Sequence, residues 1–310
     1  MASGVGNKLL DLVTVVIPTR DEVEGIGLVL DELIGVGVPR DRILVVDGGS
    51  TDGTVDVVLR YGVRVVQQEG RGGKAMAIWT ALKYVSTPYM LVMDGDYSYP
   101  AKHVLELVEE IVRTGGADEV ISVRRPLPGS QRLIYRFGNW LLTRVFNLLF
   151  DTRLHDVLSG MYVVRVEALR DAVAEVGGFS IEAHIAAHMV STGRVIREIP
   201  IEYRRRVGKK KLGVKDGLAI FGDMVRLTTR YNPHANPIPN RRITTHTGLA
   251  LGAYVGYWYL FYGIKYYLKG LVAIMLTLIG LQFLGMAAMA IYMKRMEYRL
   301  RKAIESLRRD

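Results

Sequence analysis

Two aspartates separated by a single glycine, Asp94 and Asp96, form the sharpest chemical signal in the sequence. If they follow a strand, alternate positions can aim both carboxylates at one point while Gly95 keeps the backbone compact. Two hard oxygen ligands suit Mg²⁺ or Mn²⁺, with phosphate oxygens and water filling the octahedron. A cation held there would stabilise a departing diphosphate as a Lewis acid. The simpler alternative is a turn that exposes two solvated acids.

Several basic residues stand where they could bind the phosphates of that diphosphate. Arg71 and Lys74 bracket two glycines just before a predicted helix, where backbone amides and the helix dipole favour anions. Arg124 and Arg125 close a later apolar run. Seven basic residues and no acid follow further on: Arg204, Arg205, Arg206, Lys209, Lys210, Lys211 and Lys215. A solvated face or a nucleic-acid patch is the usual meaning of such a run. Because two C-terminal segments, residues 243–264 and 271–293, are predicted below to anchor the chain in a membrane, we favour a substrate phosphate or a lipid headgroup, and we expect no nucleic-acid partner.

The elements that must carry these residues follow from the apolar pattern. Short β-branched runs alternate with segments of helical periodicity, which predicts an α/β fold with a mostly parallel sheet and helices on both faces. The predicted strands are residues 12–17, 43–46, 63–66, 89–93 and 119–123, and the helices between them are residues 22–34, 51–61, 74–85 and 101–113. Such sheets bind ligands beyond the carboxyl ends of their strands. Four polar runs stand at those ends, 18–22, 47–53, 69–74 and 94–96, so we expect one common site.

The composition narrows the class of protein. The chain has 310 residues and a formal net charge of +10. It has no cysteine, and this excludes disulfide frameworks and cysteine-based metal or nucleophile sites. Its length suggests about two domains. Residues 243–264 and 271–293 contain no Lys, Arg, Asp or Glu, and each is long enough to cross a bilayer core of about 30 Å. We therefore predict a C-terminal transmembrane helical hairpin.

Positive charge at the ends of the predicted spans sets their orientation. Arg241 and Arg242 precede the first span and five basic residues follow the second, against two lysines in the turn. The prediction is a multi-pass protein of the cell membrane, with membrane lipids as partners and with the α/β domain and both termini in the cytoplasm. Its parts are the α/β domain over residues 1–230, a proline-rich linker over 231–242, the hairpin over 243–293 and a basic tail over 294–310. Association into a homo-oligomer remains open.

Two further segments, residues 131–150 and 214–231, interleave arginines with large apolar side chains at helical spacing. Stripes of this kind are typical of helices that face a protein core. They also describe helices that lie in a lipid headgroup layer. The pattern by itself does not decide between the two.

Together these motifs resemble family 2 glycosyltransferases of the dolichyl-phosphate mannose synthase type, which are inverting enzymes with the Rossmann-like GT-A fold. The resemblance covers about residues 12–215. It is carried by Pro-Thr-Arg-Asp-Glu at 18–22, the Val46-Asp47 strand end, Asp94-Gly95-Asp96, and Asp-Val-Leu-Ser-Gly-Met at 156–161. It implies a hexosyltransferase that moves mannose from GDP-mannose to dolichyl phosphate or another polyprenyl phosphate for protein glycosylation. The implied cofactor is Mn²⁺ or Mg²⁺.

The resemblance also implies roles for particular residues. The implied donor-binding residues are Pro18, Thr19, Glu22, Asp47 at the base, Asp94, Arg206 and Lys210, the last two belonging to a basic loop over the site. Lys74 joins them because of its place at the predicted helix start. Asp94 and Asp96 would hold the metal, and Arg124 resembles the phosphate-binding arginine after the fifth strand. Where the family often has a metal-binding glutamine this chain has Tyr97-Ser98, which makes Ser98 the candidate for a third ligand.

The acceptor decides which side chains the reaction needs. A polyprenyl phosphate is already an oxyanion and attacks the anomeric carbon without a general base. A sugar hydroxyl would need a carboxylate to take its proton, for which Asp156 is the first candidate and Glu182 the second. With Asp96 at the metal and Arg124 at the phosphate, the catalytic candidates are Asp96, Arg124, Asp156 and Glu182. The alternative function is a cellulose-synthase-like membrane enzyme that extends a lipid-linked oligosaccharide or a polysaccharide from a UDP-sugar.

Overall fold

The computed structural model describes the backbone of residues 8–70, 73–113, 116–173, 180–208, 214–231 and 241–307. The chain divides into two compact units. The first comprises Met1–Val190 and Arg194–Met224, and the second comprises Ser191–Gly193 and Val225–Asp310. Most of the predicted linker, residues 232–240, lies outside the described residues, and the predicted domain boundaries stay a prediction.

The first unit is built on one seven-stranded sheet. Its strands are β1 Val13–Thr19, β2 Ile43–Asp47, β3 Arg64–Gln67, β4 Tyr89–Val92, β5 Glu119–Pro126, β6 Tyr162–Arg165 and β7 Ile196–Tyr203. Its helices are α1 Val23–Gly35, α2 Thr54–Arg60, α3 Gly73–Ala81, α4 Val104–Arg113, α5 Leu133–Phe150, α6 Val166–Val173 and α7 Ile181–Ser191. The following helix is α8 Val214–Tyr231. All five predicted strands are present, and most of their ends lie within one or two residues of the predicted ends.

The strand order is β3-β2-β1-β4-β6-β5-β7. β1 pairs in parallel with β2 and β4, β2 with β3, and β5 with β7, whereas β6 runs antiparallel to β4 and β5. The prediction of a mostly parallel sheet is confirmed. Neither β6 nor β7 was predicted from the sequence, and the strand-helix order of the chain does not reveal that β6 lies between β4 and β5 or that it runs antiparallel to both.

Helices cover both faces of the sheet, as predicted. Successive residues of β1 point to opposite faces: Val15 and Ile17 join one buried cluster with α1 and α4, and Val16 joins a second cluster with α3 and α7. This burial on both sides explains why the strands are apolar throughout rather than alternating. The sheet is therefore a rigid frame whose carboxyl edge carries the loops of interest.

The second unit contains two helices that pack along one another, α9 Arg241–Tyr262 and α10 Tyr267–Leu307. Gly248 of α9 permits the close approach, since a Cβ there would lie 2.5 Å from Oγ1 of Thr277. The turn between the helices comes at residues 263–266, slightly earlier than predicted.

The predicted membrane spans are not supported. Across the described residues we find no helix whose length and apolarity together suffice to traverse a bilayer. The side chains of the predicted basic tail lie largely outside the described residues, and the cytoplasmic location stays a prediction.

Candidate active site

The carboxyl ends of β1 and β2 lie side by side, with Thr19 opposite Asp47 in the parallel register. Thr19 donates its hydroxyl to the carbonyl of Val46 at 3.4 Å. Pro18 precedes it in the same strand, and Glu22 stands at the start of α1, where its backbone N–H donates to the hydroxyl of Thr54 at 2.9 Å. The two strand ends thus bring the predicted nucleotide-binding residues to one edge of the sheet.

Asp47 is 2% exposed and organises the loop that follows β2. Its carboxylate accepts the backbone N–H of Gly49 at 3.0 Å and that of Ser50 at 3.1 and 3.2 Å, together with the Ser50 hydroxyl. Such a carboxylate-capped turn is typical of aspartate in a glycine-rich loop. The predicted contact between Asp47 and a nucleotide base stays a prediction.

Asp94 is held between a lysine and a glycine. Nζ of Lys74, in the first turn of α3, lies 2.7 Å from Oδ1 of Asp94 and 2.8 Å from Oε1 of Glu182, in the first turn of α7. A Cβ at Gly160 would lie 2.2 Å from Oδ2 of Asp94, so only glycine leaves room for the carboxylate. Withdrawal from water lowers the pKa of Lys74, but the charges of Asp94 and Glu182 outweigh it and hold that pKa above its usual value.

Asp96 is the more buried carboxylate of the pair, at 7% exposure. Oδ1 accepts the backbone N–H of Ser98 at 3.0 Å and the Ser98 hydroxyl, and Oδ2 lies 3.6 Å from Nε of Arg206. Burial and then the negative charge of Asp94 raise the pKa of Asp96, and the contacts with Ser98 and Arg206 offset only part of this. Arg206 also reaches Oε1 of Glu22 at 3.0 Å, so one guanidinium spans two of the predicted site residues.

Arg124, near the end of β5, binds Asp156 through a fork. Nε and Nη2 donate to the two carboxylate oxygens at 2.7 and 2.6 Å, and the Arg124 backbone N–H donates at 3.1 Å. Burial lowers the pKa of Arg124, but the Asp156 charge reverses the effect and raises it. Glu198 of β7, which the sequence reasoning missed, accepts the backbone N–H of His155 at 2.7 Å and that of Asp156 at 3.2 Å. No local pattern marks Glu198, because its partners lie about forty residues away.

A buried carboxylic acid near Glu182 was also missed in the sequence. Glu119, the first residue of β5, is 1% exposed, and burial and then the charge of Glu182 raise its pKa to about 8. The hydroxyl of Tyr162 shares these surroundings, and burial followed by Glu182 raises its pKa as well. Glu119 therefore carries a proton at neutral pH. A glutamate at a strand end looks solvated in a sequence, so no signal there distinguishes it.

The carboxylates of Asp94 and Asp96 fit a divalent cation. They stand close enough for the charge of Asp94 to raise the pKa of Asp96, and a divalent cation relieves that repulsion with two hard oxygen ligands. Ser98 brings a buried hydroxyl to the same carboxylate. Among the described residues no group of three or more acidic, histidine or cysteine side chains could hold a metal, so the other ligands would be phosphate oxygens, a hydroxyl or water.

The structure thus brings together most of the predicted site residues. Glu22, Asp96, Ser98 and Arg206 form one connected group, and Lys74 links Asp94 to Glu182. The charge of Asp94 also acts on Asp96. The Arg124–Asp156 pair is a separate contact. Lys210 and Arg71 lie outside the described residues. The roles assigned to all of these side chains stay predictions.

An open α/β sheet that gathers acids and cations beyond its strand ends is the arrangement of an enzyme that binds a phosphorylated ligand. Comparison with known proteins names the family. The chain belongs to glycosyl transferase family 2, whose sequence profile matches residues 14–172. The predicted family and the predicted enzyme class, a glycosyltransferase, are confirmed.

Three similar proteins illustrate the relationship. Glycosyltransferase AglJ of Haloferax volcanii is 29% identical, covering 96% of this chain and 98% of its own length. The dolichyl-phosphate hexose transferase of the same organism is 32% identical, covering 69% of this chain and 92% of its own length. Glucosyl-3-phosphoglycerate synthase from Mycobacterium tuberculosis, solved with Mn²⁺, UDP and phosphoglyceric acid, has a TM-score of 0.60 at 20% identity, covering 74% of this chain and 82% of that one. The last comparison supports the GT-A-like fold.

Proposed function

We propose that this enzyme transfers a hexose from a nucleoside-diphosphate sugar to a polyprenyl phosphate, with inversion at the anomeric carbon. The observation that carries the proposal is the state of the two candidate bases. Both oxygens of Asp156 already accept charge-assisted hydrogen bonds from Arg124, and Glu182 is paired with Lys74 at 2.8 Å. Both carboxylates thus already have a cation as partner, which disfavours the uptake of a proton from a sugar hydroxyl. An acceptor that is already an oxyanion needs no such base.

The reaction then requires positioning and charge stabilisation. A phosphate oxygen of the acceptor forms a bond to the anomeric carbon while the bond to the nucleoside diphosphate breaks, and the electron pair leaves on the diphosphate oxygen. Asp94 and Asp96 would hold a divalent cation, which when bound supplies Lewis-acid stabilisation of that leaving group. Lys74 and Arg206 surround the same carboxylates with fixed positive charge, and Asp156 keeps the Arg124 guanidinium oriented.

The surface of α5 fits a lipid acceptor. Leu133, Phe137 and Trp140 are 77%, 60% and 52% exposed. Arg136 and Arg144 are exposed on the same helix, and the guanidinium of Arg144 lies 5.7 Å from the centre of the Trp140 ring. Exposed apolar side chains with interleaved arginines are what an anionic lipid surface would attract. The core-facing alternative explains the other side of this helix, where Phe146 and Phe150 are buried.

The dolichyl-phosphate hexose transferase among the relatives supports the acceptor class. For the donor, GDP-mannose is the prediction that the family resemblance implies, and UDP-glucose is the competing choice. The decisive experiment incubates the whole chain with radiolabelled GDP-mannose, UDP-glucose or UDP-N-acetylglucosamine, dolichyl phosphate and Mn²⁺, and measures label extracted into organic solvent. We expect transfer from one of these donors with the monophosphate alone. A requirement for an already glycosylated lipid would instead establish the chain-extending alternative.

Asp96→Ala tests the role of the carboxylate pair. We expect it to abolish transfer while the chain still folds, because the substitution removes one of the two hard oxygen ligands. The matched control is Asp41→Ala, since the Asp41 side chain is 77% exposed and lies in a short turn before β2. Full transfer by Asp96→Ala would show that the pair does not serve the reaction.

A further inference from the structure

The turn that carries Asp96 is held in an unusual backbone conformation. Tyr97, directly after Asp96, has φ of 65°, in the left-handed region that non-glycine residues rarely adopt. The turn persists only if its surroundings hold it. Those surroundings include α1, which approaches so closely that a Cβ at Gly25 would lie 2.8 Å from the carbonyl oxygen of Gly95.

One carboxylate from the last turns of α1 contacts this segment on several sides. Oε1 of Glu32 accepts the Tyr97 hydroxyl at 3.0 Å and Nη1 of Arg204 at 2.6 Å, while Oε2 accepts the backbone N–H of Ala101 at 3.0 Å. Partial burial raises the pKa of Glu32, but the contacts from Arg204, Ala101 and Tyr97 outweigh it and lower that pKa. Glu32 is therefore ionised at neutral pH, and each contact is a charge-assisted hydrogen bond.

Arg204 extends this contact to the segment that follows β7. Its guanidinium lies 4.8 Å from the centre of the Tyr97 ring, and its backbone N–H donates to the carbonyl of Ser98 at 2.9 Å. Two residues further on, Arg206 reaches Asp96, and the backbone N–H of Val207 donates to the Asp96 carbonyl at 2.9 Å. Glu32 is thus the common partner of the two segments that meet at Asp96.

We propose that Glu32 is a positioning residue: through Tyr97, Ala101 and Arg204 it sets the direction of the Asp96 carboxylate and keeps Arg206 beside it. The inference rests on the proposed function, in which Asp96 helps to bind the donor diphosphate. Glu32 acts through other residues and does not bind the ligand itself. Partners of this kind typically change metal affinity by about 10- to 100-fold when they are removed.

The test uses Glu32→Ala, the milder Glu32→Gln and Tyr97→Phe in the whole chain. The control is Glu109→Gln, which removes a glutamate ion pair away from the site, the 3.4 Å contact with Arg113 on α4. Calorimetric titration measures Mn²⁺-dependent binding of GDP and UDP without acceptor. Amide hydrogen exchange of residues 94–101 in metal-free protein gives an independent readout, and thermal midpoints report stability.

We expect Glu32→Ala to weaken Mn²⁺-dependent nucleotide binding by about tenfold or more and to speed exchange in residues 94–101. Glu32→Gln and Tyr97→Phe should have smaller effects in the same direction, and Glu109→Gln none. A loss of thermal stability with unchanged Mn²⁺-dependent binding would mean that Glu32 is merely structural, and the inference would be wrong. If Glu32→Ala does not fold, unchanged binding by Glu32→Gln and Tyr97→Phe overturns it equally.

The outcomes separate this inference from the proposed function. Normal nucleotide binding by the unsubstituted chain without transfer to dolichyl phosphate would refute the proposed acceptor while leaving the role of Glu32 measurable by binding. Transfer by the unsubstituted chain with unaltered Mn²⁺ dependence in the variants would refute only the positioning role. Nucleotide binding that is independent of Mn²⁺ in the unsubstituted chain would overturn the inference together with the metal-binding part of the proposal.

Discussion

Gly160→Ala is the perturbation for which the structure gives the clearest geometry. The added Cβ would lie 2.2 Å from Oδ2 of Asp94 and 2.8 Å from its Cγ. A close carbon–oxygen contact is about 3.3 Å, so the carboxylate oxygen must move by about 1 Å. The added Cβ clashes with the end of the Asp94 side chain, so the backbone can stay in place. Lys74, 2.7 Å from the other oxygen, would lose its present geometry with Asp94.

A displacement of about 1 Å in a catalytic constellation lowers rates by about 100-fold. We therefore expect Gly160→Ala to reduce transfer by about that factor and to raise the Mn²⁺ concentration needed for half-maximal rate. Overpacking itself should lower the free energy of unfolding by about 1–3 kcal/mol, which the thermal midpoint measures separately. The assay is the initial rate of label transfer to dolichyl phosphate across a series of Mn²⁺ concentrations.

The matched control is Gly35→Ala, because a Cβ at this last position of α1 meets nothing within 4 Å. The control should keep the original rate and Mn²⁺ dependence. If Gly160→Ala also transfers at the original rate at every Mn²⁺ concentration, the placement of Asp94 has no bearing on the reaction and the reasoning about this site is wrong.

Three further predictions concern other parts of the chain. Glu119 keeps its proton in the folded chain up to about pH 8, whereas the unfolded chain ionises near 4.5, so the free energy of unfolding should fall between these values by at most about 1.4 kcal/mol per pH unit. Glu119→Gln should remove that part of the slope in denaturant titrations, and an unchanged slope would contradict the assignment. Arg124→Lys keeps the charge but loses the fork on Asp156, so kcat should fall by about 100-fold; a change within twofold would count against that pair. Phe137→Ser with Trp140→Ser should raise the KM for dolichyl phosphate in anionic vesicles by about tenfold without altering the KM for a short, water-soluble prenyl phosphate; an equal change for both acceptors would exclude a lipid-binding role.

Much of the fold was predictable because its signals are local. Runs such as Val13–Thr19 and Ile43–Asp47 are continuous and apolar, since both faces of a parallel strand are buried. Thr19, Asp47 and Asp94 lie at or just after the ends of three neighbouring strands, and they were correctly expected at one edge of the sheet. The reason is that parallel strands with crossover helices bring their carboxyl ends together. β6 was not predicted, and its antiparallel direction and its place between β4 and β5 depend on pairing with those strands rather than on local sequence.

The sequence by itself determined the class of enzyme, the strand-helix order and the identity of the acidic and basic residues at the sheet edge, because these are encoded in short motifs and apolar periodicity. Only the tertiary structure decided which charges meet. Arg206 pairs with Glu22 across 184 positions of chain, and Arg124 with Asp156 across 32. Such pairings depend on how loops from different strands pack, and a side chain's charge alone does not specify its partner.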